Sequence, residues 1–164
     1  MAISRCWSCA DRLPSTEQVE RNPELKIVLA ADGSSYTKKA LAFLVTHEEI
    51  AGGNGHVVVV IVQPAVPPRV KSMVGANAVH DYHAEEAAKV LRPIEKFLQR
   101  HDLSYTARWS VGAPGQEIVK AAKKDKVHMI VMGTHGHGIL GRALLGSVAQ
   151  NVLTECDIPV LLVK

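Results

Sequence analysis

From position 56 to 63 the chain reads His-Val-Val-Val-Val-Ile-Val-Gln, an apolar run with no polar residue interleaved. A strand with one face in water alternates apolar and polar residues. An unbroken β-branched run therefore marks a strand buried on both faces, as parallel sheets provide. Parallel strands need crossover connections, usually helices, and the flanking sequence supplies them. Leu25-Lys26-Ile27-Val28-Leu29-Ala30-Ala31 is a second β-prone run, stopped by Asp32-Gly33-Ser34-Ser35. Over 36–50, Ala40, Leu41, Leu44 and Val45 recur at helical spacing, and Gly52-Gly53-Asn54-Gly55 ends that helix. Residues 64–79 hold three prolines and Gly75 without periodicity and read as a long loop, a candidate lid. A helix over 80–101 presents Ala84, Ala87, Ala88, Leu91, Ile94, Phe97 and Leu98 on one face, with a bend or the start of a new turn expected at Pro93. Residues 105–111 alternate as a strand. Gly112-Ala113-Pro114 then opens a helix whose apolar face is Ile118, Val119, Ala121 and Ala122. A fourth strand over 128–132, a glycine-rich loop, a helix over 147–155 and a strand over 159–163 complete the chain. Regular β/α alternation predicts an α/β fold, one doubly wound parallel sheet with helices on both faces. Ligands of such sheets sit at the carboxyl ends of the strands, and Asp32 and Gly133 both fall there.

The chain has 164 residues, enough for one core and too few for two ordinary domains. Residues 1–23 are polar and aperiodic up to Arg21-Asn22-Pro23, so they read as a flexible extension, with the fold spanning 24–164. Aromatic residues make up 4%, too few for the stacking platforms of single-strand nucleic-acid binders. The net charge of +3 permits an anionic small ligand but forms no basic stripe, so no nucleic-acid partner is expected. The longest apolar run, Val57 through Val62, is far short of the roughly 20 residues of a membrane span. No apolar stretch near the start resembles a secretory signal, and a cytoplasmic protein is expected. Three cysteines, Cys6, Cys9 and Cys156, make no disulfide scaffold. The Cys6-x-x-Cys9 pair lies in the extension, away from any strand-to-helix turn and without two further zinc ligands. His80 and His83 lie one helical turn apart with no third ligand and read as surface residues, and no protein-held metal is expected.

Gly133-Thr134-His135-Gly136, nine residues, then Gly146-Ser147 at a helix start has the makings of an anion site. Glycines let backbone approach a ligand without a Cβ in the way. The opening amides of the helix and its dipole favour phosphate, and Ser147 adds a hydroxyl. Arg142, inside the loop, is a candidate cation. The plain alternative is that these glycines only build a turn. Asp32 has two readings as well: a helix cap, or a contact to ribose hydroxyls or a metal.

The segment Val131-Met132-Gly133-Thr134-His135-Gly136 through Leu145-Gly146-Ser147-Val148, closing with Ile158-Pro159-Val160-Leu161-Leu162-Val163, resembles the nucleotide-binding branch of the universal stress protein family. Val28 to Ser34, with its Asp-Gly-Ser ending, and Gly112-Ala113-Pro114 support the likeness, which covers 25–164. It implies a five-stranded sheet in order 3-2-1-4-5, ATP or the related AMP or ADP as ligand, Mg2+ arriving with the nucleotide, and a homodimer. By motif position Asp32 would meet the ribose and phosphate region and Val62 the adenine. Gly133 and Gly136 would line the ribose and phosphate path, Gly146, Ser147 and Val148 would hold the phosphates, and Met132 is a further cofactor-binding residue. The homodimer would pair the last strand, Pro159 to Val163, with its mate, and an apolar edge strand invites such pairing independently. The extension and the loop histidines His135 and His137 inherit no role from the likeness.

Gly136-x-Gly138-x-x-Gly141 also spells a dinucleotide fingerprint, but it follows the fourth strand and not the first, and its helix starts later. No Gly-Lys-Ser/Thr tripeptide occurs, so a P-loop motor is excluded. Without that lysine, fast phosphoryl transfer lacks its usual charge stabiliser. The reading favoured is a nucleotide-dependent binding or regulatory module with no catalytic residues; the alternative is a slow ATPase or phosphotransfer enzyme on the same site.

Overall fold

A computed structural model describes residues 25–51, 53–136 and 145–164. The extension before Leu25 and the loop segment holding His137 and Arg142 lie outside the described residues. In chain order the elements are β1 (Lys26–Ala30), α1 (Ser35–Thr46), α2 (Glu48–Ala51), β2 (His56–Gln63), α3 (Pro68–Val74) and α4 (Ala76–Arg100). They are followed by β3 (Ser104–Val111), α5 (Pro114–Asp125), β4 (Met129–Gly133), α6 (Ser147–Glu155) and β5 (Val160–Val163). The sheet is five-stranded in the order β3-β2-β1-β4-β5, with every pairing parallel, as the sequence predicts.

Side chains alternate across a strand, and here each half of the alternation finds its own helices. Ile27, Leu29, Val57, Val59, Ile61 and Val131 pack with Ala40, Leu41 and Leu44 of α1 and Ile94 and Leu98 of α4. Val28, Val58, Val60, Ile130 and Met132 pack on the opposite face with Ile118, Val119 and Ala122 of α5 and Ala149 and Val152 of α6. The unbroken valine run of β2 is thus apolar because both of its faces are covered. β1 and β4 are neighbours, in register Ala30 with Met132. The helix after β1 leaves toward one face and the helix after β4 toward the other, which opens a crevice between their carboxyl ends.

Two expectations are corrected. The stretch 64–79 is not all loop: α3 forms after Pro67, and α4 begins at Ala76, the two separated by Gly75 at φ 87°. Proline at a helix start costs no hydrogen bond, and glycine alone adopts that φ without strain. α3 buries none of its residues, so it carries no core periodicity to read. The first crossover is two helices, because α1 stops at His47, whose Nδ1 bonds the Phe43 carbonyl while its ring stacks on Phe43. Pro93 lies inside a single helix. Its position is solvent-exposed, where water can reach the carbonyl that loses its amide partner. No helix among the described residues is long and apolar enough to cross a membrane.

Candidate functional site

β1 delivers Asp32 to the crevice, and the start of α1 fixes it there. Asp32 Oδ1 accepts from Ser34 N at 2.9 Å and from Thr37 Oγ1 at 2.8 Å, while Asp32 N donates to Thr37 Oγ1 at 3.1 Å. Ser34 caps α1, its Oγ accepting from Thr37 N at 3.3 Å. Thr37 is 2% exposed, so this small network is held by the core beneath it.

β4 delivers the other wall. Thr134 N donates to Val163 O at 2.9 Å, and Gly146 N donates to Thr134 O at 2.8 Å. The second bond joins the two ends of the glycine-rich loop, so α6 begins beside the end of β4. The first bond of the α6 ladder runs from Gln150 N to Gly146 O at 3.0 Å. The amides of Ser147, Val148 and Ala149 therefore fall outside that ladder, as the opening donors of any helix do, and all three residues line the crevice. Gly146 is the N-cap residue and brings no capping side chain that would occupy those donors.

The glycines answer to space. A Cβ on Gly136 would stand 2.6 Å from Asp32 Oδ2, and one on Gly133 would stand 2.4 Å from Tyr36 Cβ. Only glycine at 136 lets the loop lie against the carboxylate of β1.

The result is a cleft of about 400 Å³. It is lined by the apolar residues Ala30, Val60, Val62, Met132 and Ile118 together with the polar residues Asp32, Thr37, Thr134, His135 and Ser147. His135 sits at 3.1 Å from Thr134 Oγ1 through Nδ1, with its ring tilted against Tyr36 at 5.5 Å between centroids. An apolar slot ending in backbone donors is suited to a flat ring carrying an anionic tail.

Asp32, Val62, Met132, Gly133, Gly136, Gly146, Ser147 and Val148, the site residues expected from the sequence, all line this one cleft. Arg142, the ninth, lies outside the described residues. Sequence reasoning missed Val60, Thr37, Pro114 and Ile118, which line it too. Val60 was within reach, since it lies two residues from Val62 on the same strand face. In the sequence Pro114 carries only a turn signal, although it follows β3 at the same end of the sheet as Asp32. Thr37 gives no signal in the sequence, because its role comes from folding back onto Asp32.

The structure corrects the reading of the α4 histidines. His80 is at the surface, but His83 is 4% exposed. Its Nδ1 bonds Gln63 Oε1, Gln63 Nε2 donates to His83 O at 3.1 Å, and its Nε2 is buried without a partner. Helical spacing carries the signal, because His83 stands one turn before Ala87 and in line with Ile94 and Leu98 on the buried face of α4. Among the described residues no group of three or more His, Cys, Asp or Glu side chains forms a metal site.

A family model described as "Universal stress protein family" matches residues 25–164. The chain is 31% identical over 140 residues to universal stress protein MJ0531 of Methanocaldococcus jannaschii, covering 85% of this chain and 81% of that protein. It is 34% identical over 140 residues to the Thermus aquaticus universal stress protein encoded in the QAH/OAS sulfhydrylase 3' region, covering 84% and 97%. Among solved structures, hypothetical protein MJ0577 superposes with a TM-score of 0.75 at 30% identity, over 86% of this chain and 96% of that one. Two more distant structures share the fold. An Arabidopsis thaliana universal stress family protein with AMP bound has a TM-score of 0.61 at 16% identity, over 85% and 91%. The Archaeoglobus fulgidus universal stress protein in complex with dAMP has a TM-score of 0.59 at 23% identity, over 85% and 98%. With its whole described fold inside the family match and its parallel five-stranded sheet shared with solved members, the chain belongs to the universal stress protein family.

Proposed function

We propose that the cleft binds an adenine nucleotide, ATP or its ADP and AMP forms, and that the protein works as a nucleotide-dependent binding or regulatory module. The observation that carries this reading is the joining of an apolar slot to the opening amides of α6 across the crevice between β1 and β4. Neutral apolar walls suit the faces of a base, Asp32 is an acceptor for ribose hydroxyls, and the α6 donors with their dipole suit phosphate. Two proteins of the same fold were solved with AMP and dAMP, which supports the ligand class. Where the nucleotide is ATP, Mg2+ would arrive with it, and Asp32 is the carboxylate at hand.

Binding is favoured over turnover by the lining itself. Among the described lining residues there is no lysine to stabilise a transferring phosphoryl group. Isothermal titration of ATP and AMP into the wild type and Gly146→Val tests the cradle. A Cβ at 146 would lie 3.1 Å from the Thr134 carbonyl oxygen, where the loop ends meet. Affinity should fall at least about tenfold in the variant, and equal affinities would contradict the assignment. Phosphate release on the order of one per second or faster would instead make the protein an enzyme.

The same reading extends to assembly. β5 is the terminal strand of the sheet, its four residues half-buried on both faces. Pairing of this strand with its mate in a second copy would cover an apolar edge that a lone molecule leaves open.

A further inference from the structure

Six large apolar side chains stand exposed among the described residues, and four of them fall between 70 and 82: Val70 at 42%, Met73 at 85%, Val74 at 54% and Tyr82 at 54%. Three belong to α3, which buries none of its residues. Core packing is therefore not what this helix is patterned for. Val70, Met73 and Val74 are spaced i, i+3, i+4, so they form one stripe. At 3.6 residues per turn Arg69 and Lys71 fall on opposite flanks of that stripe, and Ser72 falls on the far side. From position 64 to 79 these two cations are the only charges in the chain. No carboxylate among the described residues pairs with either of them.

An apolar stripe with a cation along each flank is complemented by an apolar stripe with carboxylates along its flanks. A second copy of α3 is a poor match, because an isologous contact would set cations against cations. A bilayer is a poor match too, because three apolar side chains on a single short helix bury little area among lipid chains. We propose that α3 is a docking helix for an acidic amphipathic segment of a partner protein, placed directly after the strand whose Val62 lines the cleft. The proposal goes beyond nucleotide binding and does not depend on it.

The test uses the full chain and a fluorescein-labelled peptide of about three heptads, with leucine at the a and d positions and glutamate on the flanks. Fluorescence anisotropy should show saturable binding, weakened at least about tenfold by Val70→Asp combined with Met73→Asp. Binding should also weaken as salt rises from about 0.1 M to about 0.5 M. A peptide with lysine in place of glutamate should fail to compete. Because α3 buries nothing, the doubly substituted protein should keep the wild-type melting temperature. No binding of the acidic peptide, or equal binding by the variant, would overturn the proposal. It would also be overturned if the protein instead sedimented with phosphatidylserine vesicles, or self-associated through a contact that the same substitutions abolish.

Discussion

Asp32 sits where the start of a helix and the wall of a cleft place demands on one carboxylate. Its Oδ1 shapes the turn into α1 through Ser34 N and Thr37 Oγ1, and its Oδ2 lies against the backbone of Gly136. The cap reading of Asp32 is corrected, because Ser34 is the N-cap of α1, and the bonds Asp32 makes in the turn before it hold the carboxylate at the cleft. Thr37→Val removes the hydroxyl that both accepts from Asp32 N and donates to Oδ1. It should cost about 1–3 kcal/mol of stability in urea unfolding, and an unchanged midpoint would show that the network carries nothing. Gly136→Ala forces a methyl toward Oδ2. It should weaken nucleotide binding at least about tenfold while leaving the melting temperature near wild type, since residue 136 is exposed. Nucleotide affinity equal to wild type would detach this contact from the site. The glycines were legible because their spacing survives in sequence. Thr37 was not, because a buried threonine in a first helical turn looks like any other until the chain folds.

At the scale of elements, the segment between β2 and α4 shows where pattern reading stops. α3 exists, yet its apolar residues face solvent, so a reading that equates periodicity with burial passes over it. His83 is the converse case, a polar residue carried inward on the buried stripe of its own helix and bonded there by the side chain of Gln63. With Nε2 already unpartnered, this pair should respond unevenly to substitution. Gln63→Leu alone strands His83 Nδ1 and should cost about 1–3 kcal/mol, whereas Gln63→Leu with His83→Leu should recover most of that loss. A double-mutant cycle by chemical denaturation measures the coupling, and purely additive losses would contradict it. By contrast, strands β2 and β4 and helix α6 were legible to within a residue, because burial on two faces, or on one helical stripe, is what set their composition.

Across the whole molecule, β/α alternation established a parallel doubly wound sheet, while the strand order came from likeness to a family and not from periodicity. Periodicity says which faces are covered, not which strand neighbours which. The outer edge of β5 is the corresponding open question for assembly. Thr134 N and Ile130 N bond Val163 O and Pro159 O, so the alternate residues Val160 and Leu162 turn their backbone groups to the outer edge. Leu162→Pro removes one outward donor and leaves the bonds to β4 in place. Sedimentation should show a dimer for the wild type and a folded monomer for the variant, and a wild-type monomer would end the dimer reading. The proposed nucleotide lies between β1 and β4 with its phosphate at α6. Amide NMR of the labelled protein during titration with AMP tests it most directly. The largest shifts should fall at Ser147, Val148, Ala149 and Asp32, with Val62 following; shifts confined to other regions, or none at saturating AMP, would overturn the proposal.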